Sequence, residues 1–226
     1  MTYVISDLHG YPLKNFQQLL DKAAFSQTDT LYILGDIIDR NGDGGVEMLC
    51  WLLSQPNIHL LLGNHEAMLL SALDTSGDEK AELLENYRLS GGDVTLDALT
   101  ELNSKSPQTA AAVMAYLRKS PLYQIVTVKG QKYLLLHGGL DNFHKDKKIC
   151  DYTPDEILWA WPEITDTYYD DMVTIFGHTP TMSYGEAYRG KILKTKTWID
   201  IDVGAGHGQE PVLLRLEDMQ EFRNFP

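Results

Sequence analysis

The sequence predicts an α/β fold with a helical cap inserted into it, and three observations carry that expectation. Apolar runs of strand length alternate with helical spacing from Thr2 to Leu62. The stretch from Glu66 to Ser120 then shows helical spacing alone, and a β-rich half follows from residue 123. Period-two and short apolar runs mark strands, whereas recurrence at three and four residues marks amphipathic helices.

In order, residues 2–6 read as a strand and Leu13–Ala24 as an amphipathic helix, with Leu13, Phe16, Leu19, Leu20 and Ala23 on its apolar face. A strand at 30–34, a helix near Val46–Ser54 and a strand at 58–62 complete a βαβαβ unit, for which parallel pairing is expected. Glu66–Leu73, Asp78–Leu89, Asp93–Leu102 and Gln108–Lys119 are the expected cap helices, broken at Ser, Gly, Asp and Pro. Strands are expected at 123–128, 132–136, 172–176, 197–202 and 211–216, with Gly130 in a hairpin turn. Thr153-Pro154-Asp155-Glu156 has the pattern of a capping box with Pro at the first helical position, starting a short helix that ends before Pro162. No repeat, low-complexity run or linker interrupts residues 1–226, so one domain is expected, with its cap over about 66–120.

The composition is that of a soluble globular protein: 43% hydrophobic, 23% charged, with a net charge of −13. That charge argues against binding a nucleic-acid backbone, which needs a basic surface. It does not exclude a phosphorylated substrate, because bound cations invert a local field. No apolar stretch is long enough to span a membrane. Met1 runs almost directly into the first strand without a signal segment, so the cytoplasm is the expected location. Cys50 and Cys150 lie outside any paired motif and read as buried or inert thiols rather than a disulfide.

Five apolar runs stop on Asp, Asn or His beside Gly. They lead into Ser6-Asp7-Leu8-His9-Gly10, Gly35-Asp36-Ile37-Ile38-Asp39-Arg40, Gly63-Asn64-His65-Glu66, His137-Gly138-Gly139 and Gly177-His178-Thr179-Pro180. Functional groups in open α/β sheets gather beyond the carboxyl ends of strands, so these segments are expected to meet at one sheet edge. Asp7, His9, Asp36, Asn64, His137 and His178 are the candidate metal ligands. Mixed carboxylate, imidazole and amide donors suit Mn, Fe, Zn, Co or Ni and argue against Ca or a thiolate site. Asp7 and Asp36 would set two negative charges against the four positive charges of two divalent ions, leaving a surplus of about +2, or about +1 with a bridging hydroxide, to attract phosphate.

In their order, these motifs resemble those of the calcineurin-like metallophosphoesterases, and most closely the phosphoprotein phosphatase branch with its bacterial and phage serine/threonine phosphatases. The resemblance runs from Thr2 to about Leu216, and Ser90-Gly91-Gly92-Asp93-Val94-Thr95-Leu96 and Leu158-Trp159 add to it. It implies a four-layer αββα sandwich and a dinuclear metal-dependent phosphomonoester hydrolase, in which metal-bound hydroxide attacks in line. Manganese is the expected ion, and a phosphorylated protein, peptide or small phosphoester the expected substrate. By the same resemblance Asp7 and His9 would hold the first metal, Asp36 would bridge, and Asn64, His137 and His178 would hold the second. Arg40 would grip the phosphoryl oxygens, with Asn64 and His65 also at the substrate. His65 would be the general acid, oriented by Asp39. Pro180, where many metallophosphoesterases carry a further His, matches the phosphatase branch and counts against a nuclease. Trp161 stands where phage-like relatives carry a second phosphate-binding Arg, so Arg88, Arg118 or Arg189 replaces it or the site works with one Arg fewer. Gly42-Asp43 after Asn41 likewise lacks the Gly-Pro common after Asp-Arg.

That loss, with Trp161 available to stack on a base, motivates an alternative substrate, a bis-nucleoside tetraphosphate. A noncatalytic metal-binding protein is a further alternative, opposed by the intact Asp39, Arg40 and His65. His207 reads as a loop residue, His59 as structural and His144 as solvated. Trp159, Trp161, Tyr168 and Tyr169 read as packing residues rather than pocket lining.

Overall fold

A computed structural model describes residues 1–224. The first sheet is ordered β10-β9-β1-β2-β3. Here β1 is Thr2–Ile5, β2 is Thr30–Ile33, β3 is Ile58–Leu60, β9 is Leu213–Arg215 and β10 is Gln220–Phe222. The βαβαβ unit gives the expected parallel pairing, with Thr2 opposite Thr30 and Leu31 opposite Ile58. In the second sheet, ordered β4-β5-β6-β8-β7, β4 is Tyr123–Val128, β5 Gln131–Leu136, β6 Val173–Phe176, β7 Leu193–Lys194 and β8 Trp198–Asp200. Strands β5, β6 and β8 run parallel, flanked by antiparallel β4 and β7.

Alternation along the strands builds three apolar layers, because successive side chains point to opposite faces. Val4 joins Leu135, Ile175, Ile199 and Leu214 between the two sheets. Its neighbours Tyr3 and Ile5 face outward into a cluster with helices α1 (Leu13–Lys22) and α2 (Val46–Leu52). Leu134, Leu136, Phe176 and Trp198 face the opposite way, onto Ile157 and Tyr168. Each such aliphatic or aromatic side chain removed from water stabilises the fold by about 1.5–3 kcal/mol. The outer layer over the second sheet is thin, since its only α-helix among the described residues is the five-residue α7, Pro154–Leu158.

The helical stretch comprises α3 (Asn64–Asp74), α4 (Glu79–Tyr87), α5 (Asp93–Lys105) and α6 (Pro107–Lys119). Leu69, Tyr87, Leu99, Val113 and Leu117 enter the same apolar cluster as α1 and α2. Between α4 and α5, Arg88–Gly92 forms a widened helical turn in which Gly91 takes φ 97°. Strands β7 and β10 escape the sequence reading because Leu193–Lys194 and Gln220–Phe222 are too short and polar to show an apolar period. The strand expected at 197–202 stops at Asp200, leaving Asp202 in the loop beyond it. Cys50 and Cys150 are free, but Cys150 is exposed rather than buried.

Candidate active site

The five strand-end segments meet at one edge. The loops after β1 and β2 are laced by His9 N–H to the Asp36 carbonyl (2.9 Å) and Gly10 N–H to the Ile37 carbonyl (2.8 Å). Gly177 N–H reaches the His137 carbonyl at 2.8 Å, joining the ends of β5 and β6. Asp7, His9, Asp36, Asp39, Arg40 and His178 all have positive φ, from 42° to 77°. That region is sparsely populated by residues other than glycine, and its concentration here marks a site where surrounding contacts impose the backbone.

Glu66, on the first turn of α3, is a chief source of those contacts. Its carboxylate accepts N–H bonds from Asp36 (2.9 Å), Ile37 (2.9 Å), Ile38 (3.3 Å) and Gly63 (3.0 Å). It therefore ties the ends of β2 and β3 together while itself completely buried. Sequence reasoning missed this role, although Glu beside a Leu-rich run and a His was the available signal. It also missed Tyr87 and Thr95 from the helical stretch, and the buried carboxyls of Asp200 at the end of β8 and Asp202 beyond it.

The Asp36 carboxylate lies between two imidazoles. Its Oδ2 is 3.5 Å from His9 Nε2, and its Oδ1 is 3.5 Å from His137 Nε2. His9 Nδ1 faces the Ile38 carbonyl at 3.0 Å and His137 Nδ1 the Leu34 carbonyl at 2.8 Å. Each Nδ1 therefore carries a proton toward its carbonyl, and each Nε2 faces inward. Asn64 Oδ1 lies 2.7 Å from His137 Nε2 and 3.0 Å from His178 Nδ1. Asp7 uses Oδ2 to accept from Ser6 and from His178 N–H (2.9 Å), leaving Oδ1 4.0 Å from His9 Nε2.

Two groups of potential metal donors result, His9 with Asp36 and His65, and Asp36 with His137 and His178. They share Asp36. Asn64 Oδ1 faces ring nitrogens of both His137 and His178, so three donor atoms suited to a cation converge there. The electrostatics agree. Burial, and then Arg40, holds His9 well below the usual imidazole range, and burial with His137 lowers His178 to about 3. Burial raises the Asp36 carboxyl well above its ordinary value, with Glu66 and Asp7 adding to the rise against the opposing His65. Neutral imidazoles around concentrated carboxylates suit divalent cations, and the residues fit a dinuclear centre.

His65 is held differently. Its Nδ1 is 2.6 Å from Asp39 Oδ2, and its Nε2 is 3.1 Å from Arg40 Nη2. Burial opposes protonation of His65, but the charges of Asp36 and Asp39 and the Asp39 hydrogen bond outweigh it, so its pKa is raised. These groups open onto a pocket of about 560 Å³ bordered by Met68, Leu89, Trp159 and Trp161. The sequence reading of the two tryptophans as packing residues is corrected here. Trp159 and Trp161 are 44% and 62% exposed, with rings 5.9 and 6.2 Å from that of His178, because the chain leaves α7 into this rim. Tyr168 is buried against Phe143 and Phe176 as expected.

Arg40 is the one arginine lining the pocket among the described residues. Arg88 pairs with Asp93, Arg118 with Asp74 and Arg189 with Glu186, and none of the three lines the pocket. His207 does border the pocket, with Nε2 3.5 Å from Arg40 Nη1. His59 points outward beside Tyr32, and His144 is solvated.

Comparison with known proteins agrees with this geometry. The sequence profile of the calcineurin-like phosphoesterases matches residues 2–207. The chain belongs to that family. A symmetrical bis(5′-nucleosyl)-tetraphosphatase of Erwinia tasmaniensis is 30% identical over 141 residues, 62% of this chain and 44% of that one. Serine/threonine-protein phosphatase 2 of Salmonella typhimurium is 29% identical over 160 residues, 70% of this chain and 66% of that one. The match thus spans less than half the length of some curated relatives. Among solved structures, a cold-active protein tyrosine phosphatase superposes with TM-score 0.57 at 18% identity, over 98% of this chain and 78% of that one. A serine/threonine phosphatase of Saccharomyces cerevisiae gives 0.54 at 17%, over all of this chain and 76% of that one. Both share the fold. No described helix is long and apolar enough to cross a membrane.

Proposed function

We propose that this phosphoesterase hydrolyses phosphomonoesters of serine and threonine in proteins. The reading rests on one observation: two donor groups share Asp36, and His65 of the first stands against Arg40. Asp7, His9 and Asp36 would hold one ion, and Asp36, Asn64, His137 and His178 the other, with manganese suited to the mixed oxygen and nitrogen donors. Two such ions, when bound, neutralise phosphoryl charge and activate water at neutral pH.

The remaining steps belong to the protein. Arg40 directs its planar guanidinium at the phosphoryl oxygens, where two N–H groups bond at once. Asn64 and His65 complete the contacts to the group being transferred. Asp39 fixes the His65 ring through Nδ1, so that Nε2 is the atom that gives its proton to the leaving alkoxide. The similarity to the Salmonella phosphatase across two thirds of its length supports a protein substrate.

A second reading, a nucleotide polyphosphate, is favoured by the exposed Trp161 ring beside His178 and by the tetraphosphatase relatives. The test is Mn²⁺-loaded protein given phosphoserine and phosphothreonine peptides, p-nitrophenyl phosphate and a bis-nucleoside tetraphosphate. The primary reading expects the highest kcat/KM on the peptides. A preference of about 100-fold or more for the dinucleotide replaces it with the second.

A further inference from the structure

Asp39 receives more than His65. Its Oδ1 accepts hydrogen bonds from the Tyr87 hydroxyl and from Thr95 Oγ1 (2.6 Å), while Oδ2 faces His65 Nδ1. Tyr87 ends α4 and Thr95 lies in the first turn of α5, far along the chain from Asp39, and all three residues are completely buried. The Asp39 backbone is held from the same side. Its N–H donates to Thr95 Oγ1 at 3.0 Å, and the next residue, Arg40, donates to the Gly91 carbonyl at 3.0 Å. Asp39 and Arg40 both have left-handed backbones, with φ 77° and 70°, so these bonds secure a conformation that costs about 1–3 kcal/mol per residue by itself.

Glycines make room for this grip. A Cβ at Gly92 would overlap the Tyr87 ring, and one at Gly44 would overlap Thr95. Gly91 takes φ 97°, turning the chain so that its carbonyl meets Arg40. We propose that Tyr87 and Thr95 are positioning residues for the reaction: their hydroxyls pin one oxygen of Asp39 so that the other holds the His65 ring in its proton-donating orientation. The proposal deepens the phosphoesterase reading above and rests on it for the role of His65.

A buried carboxylate with two hydroxyl donors and a ring N–H cannot rotate without breaking charge-assisted bonds. Removing one hydroxyl leaves Oδ1 with a single donor and loosens the pair, since outer partners orient catalytic and metal-binding imidazoles. The effect should appear in proton transfer to the leaving group rather than in substrate affinity.

The test combines kinetics with a spectroscopic readout that needs neither metal nor turnover. Tyr87→Phe keeps the ring over Gly92 and deletes only the hydroxyl, whereas Thr95→Val and Thr95→Ser separate shape from hydrogen bonding. On phosphopeptide or phenyl phosphate, Tyr87→Phe and Thr95→Val should lose about tenfold or more in kcat with little change in KM, within the range general-acid catalysis supplies. On 2,4-dinitrophenyl phosphate, whose leaving group needs no proton, the loss should be about threefold or less. Thr95→Ser should recover most of the loss. In metal-free protein the downfield Nδ1 proton of His65, assigned by its disappearance in His65→Asn, should shift or broaden in Tyr87→Phe. Equal losses on all leaving groups, or an unmoved proton resonance, overturn the positioning role. A wild type that hydrolyses none of the esters but shows the resonance responding to Tyr87→Phe leaves the clamp standing and sinks the phosphoesterase reading.

Discussion

At the scale of single residues, Glu66 and His65 make opposite predictions although they are neighbours. Glu66 touches no reacting group, yet four backbone N–H groups from the loops after β2 and β3 end on its carboxylate. Glu66→Gln replaces an acceptor oxygen with an amide that points hydrogens at those donors. Unfolding in urea should show a loss of about 2–4 kcal/mol, since hydrogen bonds to a charged group contribute about 1.5–3 kcal/mol each and the cost of stranded donors adds to them. His65→Asn should leave the urea midpoint nearly unchanged and lower kcat by about 10²–10⁴-fold on alkyl or peptide phosphoesters. An inactive Glu66→Gln at full stability, or a His65→Asn variant as active as wild type, would contradict these assignments.

Among the secondary elements, α7 places the tryptophan rim beside His178, and its start is a capping box. Thr153 Oγ1 accepts the Glu156 N–H at 3.3 Å, and the Glu156 carboxylate accepts the Thr153 N–H at 2.9 Å. Thr153→Ala should cost about 1 kcal/mol, measured by thermal or urea unfolding. The Lys147 ammonium, at 2.7 Å, and then the Thr153 N–H lower the Glu156 pKa from 4.5 to about 2. A folded-state value below the unfolded one means stability that is complete above pH 4.5 and lost as pH falls toward 2. The urea midpoints of wild type and Glu156→Gln should therefore differ most above pH 5 and converge near pH 2; a gap that widens on acidification would reverse the sign. Farther along, Gly92→Ala should destabilise by about 1–3 kcal/mol through overpacking against the Tyr87 ring.

For the whole molecule, the strand ends were legible because each apolar run stops on chemistry that is costly to bury without partners. Asp7, His9, Asp36, Asn64, His137 and His178 all reach the one edge expected of them. The parallel βαβαβ unit was legible for the same reason, since its strands are apolar and bounded by Gly. What escaped depended on contacts between distant segments. Nothing in the local pattern of Tyr87 or Thr95 says that their hydroxyls end on Asp39, and the edge strands β7 and β10 carry no period to read. Trp159 and Trp161 resemble core residues until the loop after α7 is seen to turn them to solvent. Six side chains converge on the strand-end edge, whereas the rim around it is open and holds a single arginine among the described residues.

The most direct test of the central claim is the rate of phosphate release from a phosphoester panel by protein stripped of metal and titrated with Mn²⁺. The account predicts no release without metal, a rise that saturates near two equivalents, and loss of that rise in Asp36→Asn. Saturation at one equivalent, or a fully loaded wild type that releases phosphate from none of the esters, would contradict it.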